Sequence, residues 1–255
     1  MKCSKQPWII LFGGAGREGV IKRLVAEGID IRLVLVPSKM EAKLEGSIHR
    51  LHDLGFEILK ISRDELADAL SLRLDCHLLS VGFPYIIPKS IYSRHKLALN
   101  IHPTLLPKYR GPTTGAYILI NNEIESGSTV HFIEEEADKG AIIAQSNITL
   151  TPFDTLRSLQ RKVYASEPEL IMEALLKLDI GKLPVTQEEK KSSNYPKKRT
   201  PNDSEIDPSK PLIDLVNEIR ASDPEDFPAF FYYHGKKVCV KLWRENKPPE
   251  FFDEI

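Results

Sequence analysis

The segment Trp8-Ile9-Ile10-Leu11-Phe12-Gly13-Gly14-Ala15-Gly16-Arg17-Glu18-Gly19 decides the fold. A short run of apolar residues is typical of a strand buried on both faces of a parallel sheet, and the glycines after it permit a tight turn into a helix. The same alternation of apolar runs and helical spacings continues to about residue 101. It predicts an α/β fold with a doubly wound, mostly parallel Rossmann-like sheet and helices on both faces.

Outward from this segment, the pattern predicts the further elements of the main domain. We expect strands at residues 8–12, 31–36, 56–61, 76–81, 97–101, 129–133 and 141–150. A long amphipathic helix is expected from Leu156 onward, and Pro168 is expected to kink or restart it.

The composition changes after Gly181, since nine of the 18 prolines lie between residues 182 and 255. We therefore predict a main domain over residues 1–181, a polar linker over 182–205 and a small C-terminal module over 206–255. The module is expected to hold one helix and one hairpin. Because a two-stranded ribbon rarely stands alone, the hairpin is expected to help form a homodimer.

Charge and composition exclude several classes of protein. The 255 residues include 35 Lys+Arg and 36 Asp+Glu, so no global basic field attracts nucleic acid. No segment reaches the roughly 18 apolar residues of a membrane helix, and the N-terminal apolar run is too short for a signal peptide. The cysteines Cys3, Cys76 and Cys239 are too far apart to indicate a metal site or a disulfide framework. We expect a cytoplasmic protein with no membrane partner.

The residues Gly14 to Gly19 also fit the GxGxxG pattern of dinucleotide-binding proteins. The next strand ends in Val36-Pro37-Ser38, however, and lacks the acidic residue that would bind a ribose. This absence argues against NAD. Two interpretations remain, a turn that needs small residues and a turn whose amides bind a phosphate of another ligand.

The segment most informative about chemistry is Leu99 to Gly111. Asn100 and His102 lie two residues apart on a predicted strand, so their side chains share one face near its carboxyl end. An amide donor and an imidazole there can hold a carbonyl oxygen and move a proton. Taken alone, this pattern is weak, because a lone His near a strand end is more often a hydrogen-bonded structural residue.

The motifs that follow Asn100 and His102 along the chain indicate a function for this pair. The sequence resembles the folate-dependent formyltransferase family, whose motifs read Asn-x-His-x-Ser-Leu-Leu-Pro, then Arg-Gly, then Asp-x-Gly. Thr104 stands where the family usually has Ser and keeps the hydroxyl. The matching residues are Asn100, His102, Leu105, Leu106, Pro107, Arg110, Gly111, Asp138 and Gly140.

The resemblance implies transfer of a formyl group from 10-formyltetrahydrofolate to an amine, without a metal. Asn100 would donate to the oxyanion of the tetrahedral intermediate, and His102 would stabilise it or move the amine proton. Asp138 would hold His102 or a water in place and support the protonated form of His102. The other histidines, including His131, have no partner evident in the sequence and are interpreted as structural.

The resemblance also implies a cleft for the folate. Residues 81–88 match the family's folate loop, in which apolar side chains enclose the pteridine. The alternative is a strand that runs into a loop covering the core. The residues implied to bind the folate are Phe83, Pro84, Tyr85, Ile86, Ile87, Leu105, Glu135 and Asp138.

Within the family, the chain resembles most the sugar N-formyltransferases, which formylate nucleotide-linked amino-deoxy sugars for cell-surface polysaccharide biosynthesis. Residues 195–207 match their linker, with departures at Lys198 and at Pro208 just after it. A methionyl-tRNA formyltransferase-like enzyme, with a nucleic-acid partner, and a non-catalytic folate- or nucleotide-binding protein remain as alternatives. The residues predicted to bind the sugar nucleotide are Gly14, Ala15, Arg17, Lys108, Tyr109, Arg110, Gly111 and Trp243.

Overall fold

One seven-stranded sheet organises the chain, as seen in a computed structural model that describes residues 6–195 and 197–255. Cys3 and Pro196 lie outside the described residues. The strands are β1 (Trp8–Phe12), β2 (Ile31–Pro37), β3 (Ile58–Ile61), β4 (His77–Val81), β5 (Ala98–His102), β6 (Glu125–Phe132) and β7 (Ile142–Thr149). Their order is β3-β2-β1-β4-β5-β6-β7, with β1 to β5 parallel and β6 and β7 antiparallel. The predicted mostly parallel, doubly wound sheet is confirmed.

Helices cover both faces of this sheet. They are α1 (Glu18–Ala26), α2 (Glu41–His52), α3 (Leu66–Ser71), α4 (Lys89–Tyr92), α5 (Gly115–Ile120), α6 (Leu156–Asp179) and α7 (Leu212–Arg220), with short 3-10 turns at Ser38–Met40, Glu189–Lys191, Pro201–Ser204 and Pro249–Phe251. The expected restart at Pro168 does not occur, because α6 continues through it. Buried apolar residues on both sides of Pro168, such as Val163 and Leu170, hold the helix against the sheet, and this packing outweighs the lost hydrogen bond.

The alternation of side chains along the strands builds two apolar layers. Leu99 and Ile101 pack on the side of α1, α2 and α6, whereas Ala98 packs on the side of α3 and α4. Since successive side chains of a strand point to opposite faces, Asn100 and His102 share the face of Ala98. Asn100 is the one residue of β5 that is not buried.

The C-terminal third of the chain packs back on this domain. Val185 bridges to Ile142 and Asn194 bridges to Arg110, so residues 185–194 run from the edge of the sheet to the loop after β5. Arg220, at the end of α7, is buried and donates to the carbonyl oxygens of Thr151 and Asp154. The predicted hairpin is formed by β8 (Ala229–Tyr233) and β9 (Lys236–Val240). The proposed domain boundaries stay a prediction.

Among the described residues, no helix has both the length and the apolar character needed to cross a membrane.

Candidate active site

Four polar side chains meet where β5 runs beside β6. Asn100 stands opposite His131 in the antiparallel register, and their side chains are joined by a hydrogen bond of 3.0 Å from Asn100 Nδ2 to His131 Nε2. Asp138, on the loop between β6 and β7, places Oδ1 3.3 Å from His102 Nδ1 and 3.8 Å from His131 Nε2. The structure therefore brings the three predicted catalytic residues together and adds a fourth.

His102 is held at both ring nitrogens. Its Nε2 donates to the carbonyl oxygen of Tyr109 at 2.9 Å, and its Nδ1 faces the carboxylate of Asp138. A carbonyl and a carboxylate oxygen both accept, so a protonated imidazole can donate to each of them. The arrangement suits a histidine that gains positive charge during a reaction.

The sequence interpretation gives His131 only a structural role and misses its contact with Asn100. Its Nδ1–H donates to the carbonyl oxygen of Phe132 at 2.8 Å, and its Nε2 accepts from Asn100. Burial lowers the pKa of His131 to about 4, although the nearby Asp138 opposes this. His131 is therefore neutral at physiological pH and fixes the amide of Asn100. The second N–H of that amide remains available to a ligand oxygen.

Asp138 is held as a carboxylate. Burial alone would raise its pKa, but His102, His131 and the Gly111 N–H lower the pKa below its ordinary value. The Gly111 N–H donates to Oδ2 at 2.9 Å, which leaves Oδ1 directed at His102. Asp138 has a φ of 59°, in the left-handed region that Asp tolerates better than most residues.

The loop after β5 is fixed by two polar side chains of the antiparallel strands. Thr129 Oγ1 donates to the carbonyl oxygen of Thr104 at 2.7 Å and accepts from the Leu106 N–H at 3.1 Å. Gln145 Nε2 donates to the carbonyl oxygen of Leu106 at 2.7 Å. This loop ends at the Tyr109 carbonyl that orients His102, so β6 and β7 position the imidazole indirectly.

The residues predicted to bind the folate lie on loops around this cluster. Phe83 and Tyr85 form an edge-to-face ring pair with centroids 5.2 Å apart, both half-buried against the α3 and α4 side of the sheet. Ile86 is 60% exposed, whereas Ile87 is buried in the core. Lys89 Nζ lies 3.7 Å from Glu135 Oε2, so the loop with Glu135 reaches the folate loop. Pro84 is exposed and Leu105 half-buried. Their roles stay predictions, although Ile87 as a core residue has little surface for a ligand.

Arg17 is not a phosphate ligand, contrary to the sequence prediction. Its guanidinium is buried in a bidentate ion pair with Glu167 at 2.7 Å and also donates to the carbonyl oxygen of Ile101 at 3.1 Å. A Cβ on Gly14 would lie 2.5 Å from Arg17 Cδ, so Gly14 makes room for this side chain. The turn thus needs a small residue for a packing reason, in line with the first of the two interpretations.

Three further residues predicted to bind substrate are engaged within the protein. Tyr109 stacks on Tyr195 with ring centroids 5.4 Å apart and donates to Glu123, so its ring is not free for a base or sugar. Arg110 is buried and donates to Gln187 and Glu189. The Gly111 N–H is taken by Asp138. These predictions are corrected, because buried groups are satisfied by internal partners.

The remaining predicted substrate residues are accessible, and their roles stay predictions. Lys108 is exposed, with Glu123 Oε1 3.6 Å from its Nζ, and Trp243 is 76% exposed after β9. Ala15 lines a cleft of about 550 Å³ beside α6 that does not include Asn100, His102 or Asp138.

Within residues 6–195 and 197–255, no group of three or more His, Cys, Asp or Glu side chains is arranged to hold a metal ion.

Comparisons with known proteins agree with this geometry. The sequence model of the formyl transferase family matches residues 55–175, a range that contains Asn100, His102, His131 and Asp138. The crystal structure of a 4-N formyltransferase from Francisella tularensis is 22% identical with a TM-score of 0.76, over 96% of this chain and 100% of that one. A sugar N-formyltransferase from a Shewanella species is 18% identical with a TM-score of 0.71, over 95% of this chain and 98% of that one.

A third similar structure is the N-formyltransferase from Helicobacter canadensis in complex with folinic acid and dTDP-3-aminofucose. It is 21% identical with a TM-score of 0.70, over 91% of this chain and 86% of that one. The likeness to all three shows a shared fold that includes the C-terminal part of the chain. The resemblance to formyltransferases is confirmed, since the formyl transferase family model matches residues 55–175 and this range carries the candidate active site.

Proposed function

We propose that the protein transfers a formyl group from 10-formyltetrahydrofolate to the amine of a nucleotide-linked amino-deoxy sugar. One observation carries this proposal: Asn100, His131, Asp138 and His102 form a connected polar cluster within the formyl transferase domain. The likeness to the N-formyltransferase from Helicobacter canadensis, whose structure holds folinic acid and dTDP-3-aminofucose, supports a sugar nucleotide as the acceptor.

The cluster has the groups that acyl transfer to an amine needs. The free N–H of Asn100 would donate to the oxygen that becomes negative when the amine adds to the formyl carbon. His102 would carry positive charge beside that oxygen, since Asp138 Oδ1 lies 3.3 Å from Nδ1 and the Tyr109 carbonyl 2.9 Å from Nε2. The proton lost by the amine would pass to this histidine–aspartate pair. The intermediate would then collapse by breaking the bond from the formyl carbon to N10 of the folate, and the same proton would pass to N10, so that tetrahydrofolate leaves and the formyl group stays on the amine.

The side chains near the cluster fit a folate as the formyl donor. Phe83 and Tyr85 offer half-buried aromatic surface of the kind that suits a flat heterocycle. Lys39 Nζ lies 4.6 Å from the centre of the Tyr85 ring, and Lys89 begins α4 at the other end of the loop. Positive charge on both sides of this loop suits the carboxylates of a folate tail. The folate supplies the activated formyl group.

A formyl-transfer assay tests the proposal. Purified protein is mixed with 10-formyltetrahydrofolate and a panel of thymidine- and uridine-diphosphate amino sugars, and the products are identified by mass spectrometry. We expect a formylated product from one sugar and a loss of about 10²- to 10⁴-fold in kcat for His102→Ala. His49→Ala, at an exposed position of α2, is the matched control and should leave kcat unchanged.

Other outcomes discriminate between the alternatives. Formylation of methionyl-tRNA and of no sugar would contradict the sugar acceptor and favour a tRNA enzyme. Folate binding measured by calorimetry without any transfer would favour a non-catalytic binding protein.

We further propose a cytoplasmic homodimer that serves cell-surface polysaccharide biosynthesis. Support for the dimer comes from the exposed aromatic residues of the hairpin and the residues after it, of which Tyr232 is 57% exposed, Tyr233 63% and Trp243 76%. Sedimentation equilibrium of the wild type and of Tyr233→Lys tests it. A wild type that sediments as a monomer would contradict it.

A further inference from the structure

The side chain of Gln187 contacts the loop that carries Asp138. Its Nε2 donates to the carbonyl oxygen of Asp138 and to that of Gly140, each at 2.8 Å. Gln187 lies in the polar segment after α6, and its side chain is half-buried. One amide nitrogen therefore fixes the backbone on both sides of Lys139, at the point where Asp138 adopts a φ of 59°.

The other end of the same amide is equally engaged. Gln187 Oε1 accepts from Arg110 Nε at 3.1 Å and from Nη2 at 2.8 Å, and Arg110 is buried. The residue after Arg110, Gly111, donates its N–H to Asp138 Oδ2. The carboxylate and the backbone of Asp138 are thus held by one connected set of hydrogen bonds.

We propose that Gln187 is a positioning residue that directs the Asp138 carboxylate at His102, so that the segment after α6 completes the active site. The proposal rests on the formyl-transfer function proposed above. Without the two bonds from Gln187, the loop between β6 and β7 is free to leave its left-handed turn and to draw Oδ1 away from Nδ1. A displacement of about 1 Å in a catalytic group can lower turnover by about 10²-fold.

Formyl transfer by Gln187→Met tests the inference. Methionine keeps the length of the side chain but neither donates to the two carbonyl oxygens nor accepts strongly from Arg110. We expect kcat to fall about 10- to 100-fold with the KM for both substrates within about twofold. Glu189→Gln is the matched control on the same segment. It removes the ion pair with Arg110 but leaves Gln187 in place, and its kcat should equal that of the wild type.

The pH profile of kcat separates positioning from a general loss of structure. Asp138 is faced by His102 and Arg110, by His131 on β6, and by the Gly111 N–H, which together keep its carboxylate charged. In Gln187→Met the carboxylate moves away from these groups, so its pKa rises and the acidic limb of the profile shifts to higher pH. Glu189→Gln should leave the limb in place.

Different outcomes contradict the formyl-transfer function and the positioning role of Gln187. A wild type that transfers no formyl group to any acceptor contradicts the proposed function. With an active wild type, a folded Gln187→Met with unchanged kcat and pH profile overturns the positioning role. Gln187→Glu is the second variant, used if Gln187→Met does not fold as judged by circular dichroism. If neither variant folds, the inference is also overturned, because the contacts of Gln187 then stabilise the fold and do not direct the carboxylate.

Discussion

The neutral state of His131 makes a quantitative prediction about acid stability. In the folded protein its pKa is about 4, against an ordinary value of 6.5, so the unfolded chain takes up a proton first as the pH falls. The folded state therefore loses stability as the pH falls from about 6.5 to about 4. Each tenfold change in proton affinity corresponds to about 1.4 kcal/mol, so the wild type should lose about 2 kcal/mol between pH 7.5 and pH 5 through this group.

The perturbation is His131→Gln, which keeps a polar side chain of similar length that does not titrate. Urea unfolding of wild type and variant at pH 7.5 and pH 5 gives the free energy of unfolding of each. The wild type should lose about 2 kcal/mol more than the variant over this interval. His77, whose pKa burial also lowers to about 4, titrates in both proteins and cancels in the comparison.

The groups around His131 do not obscure this window. Asp138 has a lowered pKa and contributes stability that is lost only below its ordinary value of 3.8. Equal losses of stability in wild type and variant would refute the reasoning, because His131 would then not be a buried neutral acceptor for Asn100.

Three further results are expected from single substitutions. Glu167→Gln should lower the free energy of unfolding, measured in urea, by about 3 kcal/mol, because it leaves the buried charge of Arg17 uncompensated. Glu169 is the control: its carboxylate is 74% exposed, so Glu169→Gln should change the free energy of unfolding by less than about 1 kcal/mol. Gly140→Ala should reduce formyl transfer at least about 10-fold and lower the melting temperature, since its Cβ would lie 1.8 Å from a carbonyl oxygen of β6; wild-type activity would contradict this contact. Asn100→Ala should reduce kcat about 10²- to 10³-fold in the mass-spectrometric assay. A decrease of less than about 10-fold would contradict the role of Asn100 as a donor to the oxyanion.

The local sequence pattern was sufficient to predict the parallel strands and the shared face of Asn100 and His102 on β5. The apolar run from Trp8 to Phe12 coincides with β1, and the two-residue spacing of Asn100 and His102 places both on one face. His131 was missed for a different reason. It was within a predicted strand, but only the antiparallel register opposite Asn100 gives it a partner, and that register depends on a long-range pairing.

Basic residues near glycines were misinterpreted because their partners are distant in sequence. Glu167, which neutralises Arg17, is 150 residues away, and Gln187, which binds Arg110, is 77 residues away. The segment containing Gln187 has the polar, proline-rich composition of a solvent loop. Composition indicates the average environment of a segment, so it does not reveal that a single glutamine in the segment makes the contact with the active site.

The side chain of Arg17 also bears on how such sequences diverge. Its stem fills the turn after β1, its charge is balanced by a residue of α6, and Gly14 leaves the space for it. We therefore expect a substitution at position 14, 17 or 167 to be tolerated only together with substitutions at the other two positions. Among related chains, a long cation after the glycines should co-vary with an acid on the late helix. Chains that lose both together are the ones in which this turn is open to a ligand.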